Sequence, residues 1–328
     1  MGARARLEAW LNEVWYASKP PPWWLRALVP LYRQVSAAGR RRPPQPSGLS
    51  APVVVVGNLT AGGSGKTPTV IALVRQLSER GWRPGVISRG YGGRYKQAVL
   101  EVYPDSDPAL VGDETVLIAR RAGVPVAVAR QRLAAAQHVI ARGCDVVISD
   151  DGLQHAGLPR DLELLVVHSR RRFGNQLLLP AGPLREAFDP DRFPWIIVNG
   201  EAGPGEFALR ATHGTPYALG EPGGERALAH LVGQRVHALA GVSDPTRFFD
   251  ALEESGLAVV RHPFPDHHRY LPDDLRFLRN DPAPLLCTEK DAVKLASLRV
   301  PNCWVVPLES RLPEALLDQI EARLRRSN

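Results

Sequence analysis

Cysteine is scarce. The three present in 328 residues, Cys144, Cys287 and Cys303, are an odd number, widely separated and without a C-x-x-C pair. That spacing argues against a disulfide framework and a structural zinc site, and it fits a reducing cytosol. Long apolar runs are missing as well. The stretch from Trp23 to Val35 is interrupted by Arg26, Pro30 and Arg33 and falls short of the roughly 20 residues that a spanning helix needs. The opening residues show no charged region followed by a small-residue cleavage site, and Met1-Gly2 lacks Ser or Thr at the sixth position, so neither secretion nor myristoylation is expected. There is no internal repeat and no recognisable nucleic-acid-binding module, and the basic residues are dispersed, so no nucleic acid is expected as a partner.

What is present is enough apolar content, 44%, to bury a substantial core. Lys and Arg outnumber Asp and Glu by 41 to 34, a net charge of +7 that favours an anionic partner such as ATP or a phospholipid surface. Four of the seven tryptophans, Trp10, Trp15, Trp23 and Trp24, fall within the first 24 residues. Residues 1–45 therefore read as a membrane-interfacial segment. Trp and Leu would enter the headgroup boundary while Arg26, Arg33 and Arg40-Arg41-Arg42 attract an anionic membrane surface. A helix packed on the protein's own core is the alternative. Pro43, Pro44, Pro46, Ser47 and Gly48 then make a linker.

From residue 53 the pattern is repeated βα units. Val53 to Val56 is a continuous β-branched run of the kind found in buried parallel strands, and it leads into a Gly-rich turn and a helical stretch from Thr69 to Arg80. Gly85–Ser88, Pro125–Val128, Asp145–Ile148, Leu164–Val167 and Trp195–Val198 repeat the theme. The expected fold is α/β: a P-loop NTPase-like, doubly wound, mainly parallel sheet over residues 46–215. Residues 200–224 read as a Gly/Pro-rich connector. A smaller α/β domain over 216–328 follows, with strands at Val236–Leu239, Leu257–Val260, Leu285–Cys287 and Trp304–Val306. Its closing helix, from about Pro313 to Arg325, is free to pack back on the first domain.

The strongest chemical signal is strand, Gly-rich loop, then Lys-Thr at a helix start. This geometry aims backbone N–H groups and a helix dipole at phosphates. The nucleotide-binding candidates are Thr60, Ala61, Gly62, Gly63, Ser64, Gly65, Lys66, Thr67 and Pro68. Lys66 would pair with the β and γ phosphates and Thr67 would offer its hydroxyl to Mg²⁺. Thr60 stands where the usual P-loop has its first Gly. Asp145 to Asp151 has the form of a strand ending in metal-binding carboxylates, although a single Asp there could simply cap a helix. Gly112-Asp113-Glu114 and Asp266-His267-His268 are weaker by themselves, because acidic residues favour any first helical turn and histidines are common on surfaces.

In order along the chain, these pieces resemble the tetraacyldisaccharide 4'-kinase family of lipid A assembly. The resemblance rests on Trp24-Leu25 with Pro30-Leu31-Tyr32, Val56 to Thr60 leading into Gly62 to Pro68, Ser88-Arg89-Gly90-Tyr91-Gly92, and Gly112-Asp113-Glu114. It continues through Asp150 to His155, Leu179 to Glu186, Phe264 to His267, and Thr288 to Lys294. The family's loop departs from the usual P-loop in the same way. The resemblance implies an ATP- and Mg²⁺-dependent kinase that phosphorylates the 4' hydroxyl of an acylated disaccharide-1-phosphate lipid. It would work at the cytoplasmic face of the inner membrane, with no required protein partner evident. It further implies Asp113 as catalytic base assisted by His267, with Lys66 on the phosphates and Thr67, Glu114, Asp150 and Asp151 around the metal. Arg89, Gln154, Asn175 and Arg185 become candidates to hold the acceptor, and Arg130 and Arg132 would either join them or solvate a helix face. Because Asp113 and His267 fall in different halves, the halves must approach each other. The rival reading is a membrane-associated P-loop ATPase switch. Its signature lysine would fall at Ala61, which cannot reach a phosphate, and it has no use for the segment from Leu179 to Glu186.

Overall fold

The computed structural model describes residues 3–17, 20–40, 48–155, 157–220, 224–225, 227–279 and 281–327. Arg41, Arg42 and the expected linker at Pro43 to Ser47 lie outside these. Two helices come first, α1 (Ala3–Tyr16) and α2 (Trp23–Arg40). The first sheet is then laid down by β1 (Val53–Gly57), α3 (Lys66–Glu79), β2 (Pro84–Ser88), β3 (Val99–Val102), the short α4 (Pro108–Val111), α5 (Asp113–Ala122), β4 (Val126–Ala129), α6 (Arg132–Ala141), β5 (Val146–Asp150), β6 (Leu162–His168), β7 (Trp195–Asn199) and β8 (Phe207–His213). A second sheet takes β9 (Tyr217–Ala218), β10 (Arg235–Ala240), α7 (Pro245–Glu254), β11 (Ala258–Pro263), β12 (Leu285–Thr288), α8 (Glu289–Leu295) and β13 (Cys303–Val306). The chain closes with β14 (Leu308–Arg311) and α9 (Glu314–Ser327).

Among the described residues the larger sheet has nine strands in the order β14-β8-β7-β6-β1-β5-β2-β4-β3. Only the edge pairs β3–β4 and β8–β14 are antiparallel. Its centre is β1, whose four valines are at most 1% exposed. Strand alternation sends Val54 and Val56 into the core beneath α3, α5 and α9, and Val53 and Val55 into the core on the α6 side. Covering both faces is what allows an unbroken valine run to be a strand. The smaller sheet has the order β11-β10-β12-β13-β9, parallel except at β9.

The stretch expected as a connector between residues 200 and 224 instead contains β8, which extends the first sheet beside β7. After β13 the chain leaves the second sheet at Pro307 and adds β14 antiparallel to β8. Helix α9 then buries Leu316, Leu317, Ile320 and Leu324 in the core that holds Val54 and Val70. Its start is fixed by the buried amide of Gln76, which donates to the Leu312 carbonyl (3.1 Å) and accepts from the Leu312 N–H (2.8 Å). The two sheets therefore share the C-terminal segment, and the smaller unit is a loop-out between β8 and β14. Leu317 is fully buried in the first core although it follows the second sheet in sequence. Leu317→Ala is expected to cost about 2–5 kcal/mol, read as a lower urea midpoint with an unchanged slope.

Candidate active site

In parallel sheets ligands gather at the carboxyl ends of the strands, and register places those ends in one row. Val56 of β1 stands beside Asp150 of β5, Ile87 beside Ser149, and Ser88 of β2 beside Val128 of β4. The loop after β1 is shaped from within by Asn58, fully buried, whose amide donates to the carbonyls of Thr60 (2.9 Å) and Gly62 (3.2 Å) and whose oxygen accepts from Lys66 Nζ (3.3 Å). Gly65 caps α3 in the left-handed region (φ 97°), where a side chain is strained. Any Cβ at Gly63 would stand 2.1 Å from Ser243 Oγ, so the second unit approaches the loop too closely for a larger residue. Ser64 Oγ is buried without a partner among the described residues. An unsatisfied buried hydroxyl beside a helix N-terminus fits a loop built to meet phosphate oxygens.

The row continues with two aspartates in different electrostatic conditions. Asp151, in the left-handed region (φ 50°), faces Lys66 Nζ at 3.8 Å and Arg185 Nη1 at 3.1 Å. Burial alone would raise its carboxyl, but these two cations hold it below the usual value. Asp150 is 3% exposed and accepts one weak bond from Ser88 Oγ (3.3 Å), while its Oδ1 has no partner among the described residues. Burial, then Glu114 and Asp151, push its carboxyl up to about 7. A buried carboxylate with an orphan oxygen is matched by a divalent cation. Thr67, Asp150 and Glu114 are of the right chemistry for Mg²⁺, which usually takes one or two carboxylates and completes its shell with phosphates and water. Among the described residues no three acidic, His or Cys side chains converge on one point.

Asp113 opens α5, and its carboxylate receives His267 Nδ1 at 3.2 Å from each oxygen. Burial would raise the carboxyl, but that hydrogen bond and the Lys290 charge hold Asp113 down at about 2. The same bond raises His267. The Tyr91 ring lies 5.5 Å from the imidazole. An approach of the two halves was expected as a motion; here they already touch. Lys290 reaches across the same seam to Glu114 (2.8 Å) while holding Asp266 of its own unit (2.9 Å), and Arg121 of α5 joins Glu289 and Glu309, both at 2.6 Å. On the other flank His168 meets Asp244 at 3.2 Å and Arg171 donates to the Ser243 carbonyl at 3.0 Å.

The proposed acceptor residues divide. Arg89 is exposed beyond β2, and Arg185 faces Asp151. Asn175, expected to touch sugar or phosphate, is instead built into the scaffold. Its amide donates to the carbonyls of Val14 (3.3 Å) and Ala181 (2.9 Å) and accepts from Leu177 N–H (3.1 Å), leaving little for a ligand. Gln154 is similarly committed to the Asn58 carbonyl (3.1 Å) and Glu186 (2.9 Å), tying the Gly-rich loop to the segment from Leu179 to Glu186. Arg132, read as an acceptor contact or a solvated helix residue, is neither. It is 4% exposed and donates to Ser149 Oγ (3.0 Å) and the carbonyls of Asp150 (2.7 Å) and Asp151 (3.2 Å), holding the two-aspartate turn in place. Lys290 had no assigned role in the sequence, and Arg132 had a different one. Only the Thr288-Glu289-Lys290-Asp291 motif signalled the first, and nothing local signalled the second.

The family model described as tetraacyldisaccharide-1-P 4'-kinase matches residues 21–325. A tetraacyldisaccharide 4'-kinase of Stenotrophomonas maltophilia is 46% identical over 94% of this chain and 95% of its own length. That of Methylobacillus flagellatus is 43% identical over 97% and 96%. The crystal structure of LpxK from Aquifex aeolicus, described as an "apo" form in complex with ATP, superposes with a TM-score of 0.70 at 25% identity, covering 98% of this chain and all of that one.

Since Asp150 is lifted from 3.8 to about 7, ionising it costs the metal-free fold stability progressively as pH rises from about 4 to 7. Asp150→Asn is therefore expected to raise the thermal midpoint of the metal-free protein at pH 8 by a few degrees, roughly 1–3 kcal/mol. The gain should shrink below pH 6. Calorimetry across pH checks both the sign and the window.

Proposed function

The chain belongs to the tetraacyldisaccharide-1-phosphate 4'-kinase family, and on that premise we propose how its residues transfer the γ-phosphate of ATP to the 4' hydroxyl of an acylated disaccharide-1-phosphate in lipid A biosynthesis. The contact between Asp113 and His267, beside the Gly-rich loop and the aspartate row, carries the reading. The loop N–H groups and Lys66 hold the phosphates in place. Asp113, kept ionised well below neutral pH, accepts the proton of the attacking sugar hydroxyl, a step typically worth about 10²–10⁴-fold. His267 orients that carboxylate, and Arg132 fixes the turn that presents Asp150. Mg²⁺, when bound by Thr67 and Asp150 with Glu114 nearby, supplies neutralisation of the charge developing on the transferred group.

The acceptor's acyl chains require a lipid surface, and α2 offers one. Trp24, Leu28, Leu31 and Val35 lie on one helical stripe and are 44–67% exposed, with Trp23 beside them at 80%. None of the described helices is long and apolar enough to cross a membrane. The stripe suits a helix lying in the interface, and the reading adopted for this protein is a peripheral one, at the cytoplasmic face of the inner membrane expected of the family. Its other side packs Leu25 against Val14 and Ala181, and Tyr32 donates to the Arg185 carbonyl at 3.0 Å, so the bilayer anchor is tied directly to the active-site segment. The residues group as an interfacial segment (1–45), a kinase unit and an inserted smaller unit.

Label transfer from the γ-phosphate of Mg-ATP to a tetraacyl disaccharide-1-phosphate in detergent micelles tests the reaction. A labelled bis-phosphorylated lipid is expected from the native protein and none from Lys66→Ala. Asp113→Asn should bind ATP normally yet lose transfer by about 10²-fold or more. Phosphate release without lipid product would overturn the kinase reading. Leu31→Glu with Val35→Glu should weaken binding to anionic vesicles at least tenfold; unchanged flotation would contradict the interfacial placement.

A further inference from the structure

The first turn of α8 sends three consecutive side chains in three directions. Glu289 goes to Arg121 (2.6 Å) and accepts from the Leu308 N–H (3.0 Å). Asp291, fully buried, accepts from the Gly241 N–H (2.9 Å), the Tyr270 hydroxyl (2.8 Å) and Thr288 Oγ1 (2.7 Å). With both neighbours fixed in this way, Lys290 is held in the seam beside the reacting groups. Its ammonium has three N–H bonds to give and no lone pair. It meets Glu114 Oε1 at 2.8 Å, Asp266 Oδ1 at 2.9 Å and, at 3.4 Å, Nε2 of His267. Burial works against the ammonium, but Glu114, Asp266 and Asp113 together hold it charged.

The third contact decides the state of the imidazole. Nδ1 faces the ionised Asp113 carboxylate, which only accepts, so Nδ1 carries a proton. Nε2 faces an ammonium, which only donates, so Nε2 presents its lone pair. A proton there would set two donors face to face. The carboxylate oxygen beside it, Asp266 Oδ1, lies 3.9 Å away, beyond hydrogen-bond reach. That oxygen is already taken by Lys290 and by the His267 N–H (3.0 Å), which pins the left-handed backbone of His267 (φ 58°).

We propose that Lys290 is a positioning residue of the transfer: its ammonium caps Nε2 of His267 and keeps the imidazole a neutral hydrogen-bond donor to the base. This rests on the kinase reading above. Among the described residues, the groups facing the imidazole are Asp113 from α5, the Tyr91 ring from the loop after β2, Lys290 from α8 and Asp266 from its own loop. His268 turns away to Asp274 (2.9 Å). Asp113, with a smaller part from Asp266, draws a second proton onto the ring, whereas burial and Lys290 oppose it. An imidazolium would offset the charge of Asp113 and weaken it as an acceptor of the sugar hydroxyl proton. A neutral ring orients the carboxylate and leaves that charge intact.

The test takes two readings on the full-length protein. In metal-free protein carrying nitrogen-15 histidine, with His267→Gln to assign the resonance, the nitrogen shifts at about pH 8 should show His267 protonated on Nδ1 and bare at Nε2. In Lys290→Met the ring should hold its second proton to a pH about one unit higher or more, a tenfold change in proton affinity. With Mg-ATP and acceptor saturating, Lys290→Met should lower kcat about tenfold to hundredfold near pH 7. Because the second proton leaves the ring as pH rises, most of that loss should return by about pH 9, with the KM for ATP unchanged. Lys290→Arg, which also only donates, should recover part of it. A native ring protonated on both nitrogens, or on Nε2 alone, in protein that labels the lipid would overturn the role of Lys290 without recourse to any variant. A loss equal at both pH values would overturn it by making the ammonium a scaffold group, and a loss abolished by excess Mg²⁺ would do so by assigning it to Glu114. If the native protein labels no lipid, the kinase reading itself fails and the positioning role with it, whatever the nitrogen shifts.

Discussion

The hydrogen bond between Asp113 and His267 is the contact on which the rest of the arrangement depends. The two residues are 154 positions apart and belong to different units, yet they meet at 3.2 Å. Such a contact persists only if the sheets are held in fixed relation, and the chain supplies that fixation around it. Lys290 clasps Glu114, the residue after Asp113, and Asp266, the residue before His267. Arg121 grips Glu289, one residue before Lys290. The shared C-terminal segment, in which β14 and α9 return to the first sheet, prevents the smaller unit from swinging freely on its connection after β8.

Around this contact the charges are arranged unequally, and the inequality distributes the chemistry. Asp113 is surrounded by positive groups and stays ionised, as the proposed base must. Asp150 is buried with too few partners and binds protons strongly until a cation is available. Asp151 is already held by Lys66 and Arg185. Three carboxylates thus receive different electrostatic conditions from their surroundings. Buried Arg132 keeps the last two carboxylates in position by bonding the turn that carries them.

How much of this was legible in the sequence followed the range of the interactions involved. Val53 to Val56 and the run from Gly62 to Thr67 declare themselves because strand burial, tight turning and helix start are decided within a dozen residues. Phe207 to His213 did not read as a strand because it lies next to the sheet edge, half-exposed, with Arg and His among its side chains, and its last partner is the still less apolar Leu308–Arg311. The commitments of Asn175, Gln154 and Arg132 were invisible for the same reason. Each bonds backbone groups from another part of the chain, as Asn175 does with Val14, 161 residues away. A polar residue in a functional motif can hold the ligand or hold the scaffold, and only the fold distinguishes the two.

The central claim is that His267 acts through Asp113, so that base and helper form one unit across the seam. A double-mutant cycle on kcat with saturating Mg-ATP and acceptor tests it most directly, using Asp113→Asn, His267→Gln and both together. If the imidazole works only by orienting the carboxylate, the double variant is no slower than Asp113→Asn alone, and the His267 effect disappears in its absence. Multiplying losses would contradict the account, because His267 would then serve the transferred phosphoryl group independently.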